Sequence, residues 1–115
     1  MLEAVTERRV STRYARPYVL PDRLDELTGP TTGVVQLPGH LDWSGNAVYD
    51  LDSPGRIVDL YRTVLMEAAD RADLAQYLDA GMLRRLWAML WLPQALRAAW
   101  ETRFADLALL HELAA

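Results

Sequence analysis

Four side chains in the first half of the chain have the types and spacing of metal ligands: His40 with Asp42, and Asp50 with Asp52. Alternate residues of an extended segment point the same way, so each pair could face one ion. Imidazole nitrogen and carboxylate oxygen both bind divalent metals. Aspartates beside Gly, Ser and Pro are also common in turns and helix caps. The pattern therefore leaves a metal-dependent enzyme open beside a purely structural use of these residues.

The two carboxylates of Asp50-Leu51-Asp52 also match the pairs with which nucleotidyltransferases hold two magnesium ions, and Ser44-Gly45 stands just upstream. That chemistry needs a Gly-Ser turn at the start of a helix, and a third carboxylate on a further strand. Neither feature is readable in this sequence. An active transferase is therefore not supported.

His111 and Glu112 form the other pair of chemically active side chains, near the C-terminus. No Ser or Cys stands at a position from which this histidine could activate it. A cation is favoured at the C-terminal end of a helix by the helix dipole, which gives the histidine a structural explanation. We therefore assign no catalytic residue, and the sequence indicates no cofactor.

Two short runs of β-favouring residues predict a β-hairpin over about residues 33–51. The first run contains Val34, Val35 and Leu37, and the second contains Val48, Tyr49 and Leu51. Residues 38–46 between them are too many for a tight two-residue turn, so we expect a broad loop. Trp43 lies in this loop, where a large aromatic ring either fills the core or marks a contact surface.

Apolar residues at helical spacing predict the strongest helix directly after the hairpin. Its apolar face would contain Ile57, Leu60, Tyr61, Val64, Leu65 and Ala68. Pro54 suits the first helical position, and Ser53 or Asp52 is expected to cap the free N–H groups. A hairpin alone is marginal in water, so the apolar faces of hairpin and helix are expected to cover each other.

Further helices are predicted over about 22–27, 70–78 and 79–92, and from Pro93 towards the C-terminus. Asp70 and Asp79 are the expected N-caps of two of them. The predicted fold class is therefore α+β and mainly helical, with a small β-hairpin (about 33–51) packed on four to five helices.

The composition predicts one globular domain over residues 17–115, preceded by a loosely ordered arm over 1–16. The chain has 115 residues, of which 51% are hydrophobic and 24% charged, which is ordinary for a globular protein. This length is enough to bury a core without disulfides.

The charge balance argues against a protein whose whole surface attracts nucleic acid. The formal net charge is −4 and the pI is near 5.0. However, four of the 12 basic residues, all arginines, stand in the first 16 positions: Arg8, Arg9, Arg13 and Arg16. Clustered arginines favour phosphate contacts, whereas termini are commonly solvated without a ligand. Both uses of the arm remain open.

Two features favour a cytoplasmic location. The chain has no cysteine, which fits a reducing compartment. Its most apolar run, residues 86–92, is much shorter than the roughly 20 residues that a membrane-spanning helix needs. We therefore expect no membrane association.

The helix predicted over 79–92 and the one after it carry more large apolar side chains than one face can hide. The surplus consists of Trp87, Met89, Trp91 and Trp100, and Arg84, Arg85 and Arg97 stand near it. Trp, Met and Arg are enriched at protein interfaces, yet aromatic stripes at helical spacing are usually core. The surplus is thus either core or an interface, including that of a homodimer.

Several short motifs resemble a family of small actinobacterial proteins. They are the run from Gly29 to Pro38, His40-Leu-Asp-Trp-Ser-Gly, Tyr49-Asp-Leu-Asp, Leu60-Tyr61, Leu86-Trp87, Leu92-Pro93 and Ala98-Ala-Trp-Glu. The resemblance covers roughly residues 18 to 104. Members of that family are labelled transcriptional regulators, and their genes stand beside a gene for an AbiEii-type nucleotidyltransferase toxin. The resemblance implies that this chain is the antitoxin, the non-enzymatic partner in a toxin–antitoxin pair.

The expected function is accordingly an antitoxin-like protein that binds and neutralises a nucleotidyltransferase-type toxin by direct contact. Acidic side chains would complement the basic cleft of such an enzyme. The expected partner-binding residues are Trp43, Asp42, Asp50, Asp52, Trp87 and Trp91.

The first alternative is a DNA-binding autoregulator that contacts operator DNA through Arg8, Arg9, Arg13, Arg16, Arg84 and Arg85. The helices predicted near 70–78 and 80–92 are close enough in sequence to imitate a helix-turn-helix. The second of them is rich in Leu, Trp and Met, so the motif is not convincing. The second alternative is the metal-dependent enzyme built on His40, Asp42, Asp50 and Asp52.

Overall fold

The computed structural model describes residues Tyr18 to Ala114, and the arm predicted over 1–16 lies outside them. Within the described residues the protein is a mainly helical α+β fold, as predicted. The elements are strands β1 (Val34–Gln36) and β2 (Val48–Asp50), helices α1 (Pro54–Glu67), α2 (Arg71–Tyr77), α3 (Ala80–Leu86), α4 (Gln94–Arg103) and α5 (Ala105–Ala114), and two 3₁₀ turns, Leu24–Glu26 and Trp87–Met89.

Strands β1 and β2 pair antiparallel and form the predicted hairpin. Val35 lies opposite Tyr49 at the centre of the ladder. The Leu51 N–H donates to the Gly33 carbonyl at 2.7 Å, and Gly33 has a φ of +86°, a conformation that glycine adopts without strain. The hairpin presents the buried Tyr49 side chain to α1.

Helix α1 follows the predicted apolar pattern. Its buried residues are Ile57, Leu60, Tyr61, Val64 and Leu65. Pro54 is its first residue, as predicted, and the Ser53 carbonyl accepts from the Arg56 and Ile57 N–H groups, both at 3.0 Å. The Ser53 side chain makes no capping hydrogen bond, so the prediction of a side-chain cap is wrong at this helix.

The two aspartate caps predicted for the following helices are confirmed. The Asp70 carboxylate accepts from the Asp73 N–H at 3.0 Å at the start of α2. The Asp79 carboxylate accepts from the Met82 N–H at 2.9 Å at the start of α3. Each side chain satisfies a donor that has no partner inside the helix.

The helix predicted over 79–92 is shorter than expected. It ends at Leu86, continues as the 3₁₀ turn Trp87–Met89, and becomes extended at Leu90, where ψ is 126°. Pro93 explains the break, because it has no N–H for the helical ladder and disfavours helix in the residue before it. The large side chains of this stretch therefore do not share a single helical face.

The helix predicted from Pro93 onwards is also interrupted. Phe104, between α4 and α5, has an extended backbone (φ −122°, ψ 97°) and a buried ring 5.7 Å from that of Trp100. The interruption lets α5 fold back against α4 and against the 3₁₀ turn Trp87–Met89. No helix between Tyr18 and Ala114 is long and apolar enough to cross a membrane.

A set of main-chain hydrogen bonds joins the first part of the described chain to the α2–α3 connection, and we call it the main-chain clamp. It comprises Thr28 N–H to the Ala75 carbonyl (3.1 Å), Gly29 N–H to the Leu78 carbonyl (2.7 Å) and Ala80 N–H to the Leu27 carbonyl (3.1 Å). A Cβ atom at Gly29 would lie 2.5 Å from the Tyr77 carbonyl carbon. Only glycine fits this close approach of two backbones.

The core lies where the hairpin and the helices meet, and Tyr61 of α1 is one of its polar anchors. The Tyr61 ring is fully buried, and its hydroxyl oxygen accepts from the Asp79 N–H at 2.9 Å. Burial raises the pKa of Tyr61 to about 12. The bond fixes the start of α3 against α1.

Candidate interaction surface

Trp43 projects from the loop of residues 38–46 with 76% of its side chain exposed. The chain before Trp43 is anchored by two buried leucines, Leu37 directly after β1 and Leu41 within the loop. Within the loop, the Leu41 and Asp42 N–H groups both donate to the Pro38 carbonyl, at 3.0 and 3.1 Å. The exposed ring therefore stands on an anchored loop. Trp43 therefore does not fill the core, which was one of the two roles that the sequence left open.

Asp42 organises the same loop from within. One of its carboxylate oxygens accepts from the Ser44 N–H at 2.9 Å, and the other accepts from the Tyr49 hydroxyl. The Tyr49 bond, followed by the bonds from Ser44, lowers the pKa of Asp42 below 3.8. Burial, followed by the bond to Asp42, raises the pKa of Tyr49. Asp42 is therefore ionised and Tyr49 neutral at neutral pH.

Arg56 of α1 supports the tyrosine from its other side. Its guanidinium carbon lies 4.1 Å from the centre of the Tyr49 ring, and it donates to the Val48 carbonyl at 2.8 Å. It also pairs with Asp59 at 3.2 Å. The Trp43 loop, the hairpin and α1 are joined through these contacts.

His40 ties the loop to α2. Its Nε2 atom lies 3.0 Å from each carboxylate oxygen of Asp73. Asp73 is the buried charged side chain among the described residues, and it also accepts from the Ala69 N–H at 2.9 Å. Burying a carboxylate is costly unless it is hydrogen-bonded, so the imidazole has a structural role here.

The four residues of the metal hypothesis are not brought together. His40 faces Asp73, Asp42 faces Tyr49, and the exposed Asp50 accepts from the Asp52 N–H at 3.0 Å. Across Tyr18–Ala114, no group of three or more histidine, cysteine or acidic residues is placed to hold a metal ion. The metal-site alternative that their spacing left open is therefore not supported by the arrangement of these described residues. Asp50 instead forms the turn that the sequence left as the alternative.

A surface groove of about 280 Å³ lies between the Trp43 loop and α1, and we call it the Trp43 groove. Its lining residues are Leu41, Asp42, Trp43, Ser44, Thr63, Met66 and Glu67. Two carboxylates and no basic side chain are among them. We did not predict the α1 residues of this groove from the sequence. Their position on the side of α1 away from its apolar stripe is the feature that could have indicated them.

Trp91 and Met89 form a second exposed apolar site, with 73% and 63% of their side chains accessible. Arg62 of α1 covers Trp91: its guanidinium carbon lies 5.3 Å from the ring centre, and its Nε donates to the Trp91 carbonyl at 2.8 Å. These two members of the apolar surplus are thus exposed and do not belong to the core.

Trp87 and Trp100, in contrast, are fully buried. The Trp87 indole N–H donates to Glu101 at 2.9 Å, and Arg97 lies 4.9 Å from its ring centre. The Trp100 indole N–H has no hydrogen-bond partner in the described part of the chain. Trp87 therefore belongs to the core, and its expected place among the partner-binding residues is corrected. The cause is the helix break after Leu86, which turns Trp91 outward and leaves Trp87 inward.

The arginines of the DNA-binding alternative are only partly described. Arg8, Arg9, Arg13 and Arg16 lie outside the described residues. Arg84 pairs with Asp106 of α5, with a distance of 2.8 Å from Nε to Oδ2, and Arg85 is exposed. Among the residues from Tyr18 to Ala114, no acidic side chain pairs with Arg85. The DNA-binding alternative stays a prediction.

His111 contacts Glu101 rather than its sequence neighbour Glu112. Its Nδ1 atom lies 2.9 Å from the Glu101 carboxylate, which also accepts from the Trp87 indole and, at 3.4 Å, from Arg97. The cleft beside this pair is lined by Glu101, Ala105, Ala108, Leu109, His111 and Glu112. None of these side chains is a hydroxyl or thiol nucleophile that the histidine could activate. The contact of His111 with Glu101 instead joins α5 to α4.

Comparisons with protein-family models, with curated proteins and with solved structures give no match for this chain.

Proposed function

We propose that this chain is an antitoxin-like protein that neutralises a nucleotidyltransferase-type toxin by direct contact, with Trp43 at the centre of the contact. The observation that carries the proposal is the exposed Trp43 ring on a loop fixed by Asp42, Tyr49 and His40. Tryptophan is the residue type most enriched among the side chains that dominate binding energy. A loop that is already ordered loses little entropy on binding.

The charge around Trp43 suits a basic partner. Asp42 is ionised beside the ring, and Asp50 and Asp52 are exposed at the end of the same hairpin. An enzyme that binds nucleotides and RNA has a cationic cleft, and carboxylates placed in it would compete with phosphate. The proposal therefore assigns these aspartates to steering and Trp43 to the buried centre of the contact.

Co-purification tests the proposal. The tagged full-length chain is incubated with extract of its native host, and the retained proteins are identified by mass spectrometry. We expect a nucleotidyltransferase with wild-type protein, its loss with Trp43→Ala, and a smaller effect of Trp91→Ala, because Arg62 already covers that second ring.

The recovered transferase is then assayed with and without the purified chain. Inhibition by the wild type but not by Trp43→Ala is the expected result. A transferase that stays equally active with saturating wild-type chain would overturn the proposal. So would an extract from which no transferase is retained.

A further inference from the structure

The two outer edges of the hairpin differ in how their main-chain groups are used, and the edge of β2 is closed. Arg56 donates to the carbonyls of Asn46 and Val48, at 3.3 and 2.8 Å. The Ser53 N–H donates to the Asp50 carbonyl at 3.0 Å. Carbonyls that are bonded in this way are covered against pairing with a further strand. The β2 edge is therefore occupied from within the molecule.

The outer edge of β1 is open. At the two ends of this strand, the Gly33 carbonyl and the Leu37 N–H both bond across the hairpin. Because such bonds fall on alternate residues of an antiparallel pair, Val34 and Gln36 direct their N–H and C=O groups outward. No hydrogen bond to these groups occurs within the described part of the chain. An edge of this kind can pair with an extended strand.

The open edge also carries no charge. No titratable side chain stands between Glu26 and His40 in the sequence. The formal net charge of −4 makes two copies of the chain repel each other over most of their surface, but at this edge they meet without a like-charge pair. A charged segment of another protein would gain no complementary charge here. The electrostatics therefore favour a neutral strand, and β1 itself is one.

A second copy of β1, reversed about Val35, matches the open edge group for group. Val34 of one copy then lies opposite Gln36 of the other, and their N–H and C=O groups form reciprocal hydrogen bonds. The two Val35 side chains form the central pair on the core side, where Val35 is only partly buried. This register uses only residues of the strand, whereas a shift towards Pro38 would lose a bond, because proline has no N–H.

We propose that two copies of this chain form a homodimer by antiparallel pairing of their β1 edges, which joins the two hairpins into one sheet in the order β2, β1, β1, β2. Both outer edges of that sheet are β2 edges closed by Arg56, so pairing stops at two copies. Since the β1 strands run in opposite directions, the two Trp43 loops lie at opposite ends of the sheet and stay exposed. The dimer goes beyond the proposed function and does not depend on it.

Sedimentation equilibrium of the full-length chain, from about 10 μM to about 1 mM, measures this association. An interface of one short strand is small, so we expect the mass to rise above 13.0 kDa towards the dimer only in the upper part of this range. Gln36→Pro removes one outward N–H from each copy and should weaken the dimer by about tenfold, since an edge strand otherwise tolerates proline.

Val48→Pro is the matched control for this variant. Val48 lies opposite Gln36 in the hairpin, but its N–H faces the closed edge of β2. We expect Val48→Pro to dimerise like the wild type. Circular dichroism shows whether both variants fold.

Single-cysteine variants test the register, because the chain has no cysteine of its own. In the proposed dimer the two Val35 Cα atoms are about 4.5 Å apart, which a disulfide can span. The two Val34 Cα atoms are offset along the strands and about 8 Å apart, which is too far. With oxidised glutathione, we expect Val35→Cys to form covalent dimers faster than Val34→Cys. Random collision would give the reverse order, because Val34 is 69% exposed.

Several outcomes would overturn the proposal. One is a wild-type chain that stays monomeric over the whole concentration range. Others are equal weakening by Gln36→Pro and Val48→Pro, and faster crosslinking of Val34→Cys. An intact dimer that retains no transferase would refute the proposed function alone.

Hydrogen exchange of the wild-type chain keeps the test decisive if Gln36→Pro does not fold. The amides of Val34 and Gln36 should be protected at high protein concentration and exchange rapidly at low concentration. Protection at every concentration would mean that another segment of the same chain covers the edge, which would overturn the dimer.

Discussion

The two exposed tryptophans of this protein have similar accessibility and opposite surroundings. Trp43 is 76% exposed and stands beside two carboxylates, whereas Trp91 is 73% exposed and lies under Arg62. The first ring belongs to the hairpin loop and the second to the connection between α3 and α4. The electron-rich face of Trp91 is already engaged within the molecule, and no described cation engages that of Trp43.

The difference shows that exposure alone does not rank the two sites. A ring that already has a cation over it within the molecule gains less from a partner's cation than a ring over which no described cation lies. The loop of Trp43 is fixed by side chains, Asp42 and His40, while the connection of Trp91 is fixed through its carbonyl groups. Mutation of these supports should therefore affect the two regions independently.

The largest effect is expected on the Trp91 side, from Arg97→Ala. The mostly buried Arg97 donates to the carbonyls of Trp87 and Leu90 and pairs with Glu101 at 3.4 Å. Its removal takes a donor from both carbonyls and the cation from Glu101, which keeps its contacts with Trp87 and His111, so the free energy of unfolding should fall by about 3 kcal/mol. Urea unfolding measures this change in the free energy of unfolding. The control Arg84→Ala breaks an exposed pair and should cost less than about 1 kcal/mol.

An Arg97→Ala protein as stable as Arg84→Ala would mean that the connection carrying Trp91 is held by packing alone. The Trp43 loop and the connection that carries Trp91 would then not differ in the way proposed, because hydrogen bonds to carbonyls would not stabilise the connection.

An intermediate effect is expected on the Trp43 side, from Tyr49→Phe. The change removes the hydroxyl that donates to Asp42 and leaves the ring under Arg56. The free energy of unfolding at neutral pH should fall by about 1–2 kcal/mol, the range for a hydrogen bond to a charged group. Tyr77→Phe, on the partly exposed α2 tyrosine, serves as the matched control.

The same variant has a pH signature with a defined sign. The hydrogen bond from Tyr49 lowers the native pKa of Asp42 below its ordinary value of 3.8, so its stabilisation is complete above that pH. It is lost as the pH falls through the lowered native pKa. The stabilities of wild type and Tyr49→Phe should therefore converge as the pH falls below 3.8 and through the lowered native pKa of Asp42. A stability difference that is constant from neutral pH to pH 2 would contradict this role of Asp42.

The smallest effects are expected from the exposed rings themselves. Trp91→Ala removes the contact with Arg62 and should cost about 0.5–1 kcal/mol, whereas Trp43→Ala should change the free energy of unfolding by less than about 0.5 kcal/mol. Both variants should lose iodide-quenchable fluorescence, since both rings face solvent. The reverse order of stability would mean that Trp43, and not Trp91, has an internal partner.

Local signals explain the parts of the fold that the sequence predicts correctly. The hairpin follows from β-branched residues such as Val34 and Val48 on either side of a polar loop. The caps at Asp70 and Asp79 follow from a side chain that needs only the N–H three residues later. Helix α1 follows from its apolar period. Each of these requires information from one short segment.

The errors come from contacts between distant segments. His40 is two residues from Asp42 in sequence, but its partner Asp73 lies 33 residues away. No Gly or Pro in the sequence predicts the break at Phe104. We attribute the break to the packing of the Phe104 ring beside Trp100. Trp87 and Trp91 share a helical stripe only if the helix continues to Leu92. The candidate site was thus predictable at Trp43 and Asp42 and unpredictable at the α1 residues opposite them.

The main-chain clamp between Leu27–Gly29 and the Ala75–Ala80 segment has a consequence for biosynthesis. The whole hairpin and α1 lie between its two halves in sequence, so they are enclosed in a loop that the clamp closes. A chain emerging from the ribosome cannot close that loop until Ala80 has left the exit tunnel. The Trp43 surface thus matures only after α2 has been synthesised, and until then Asp73 is not there to fix His40.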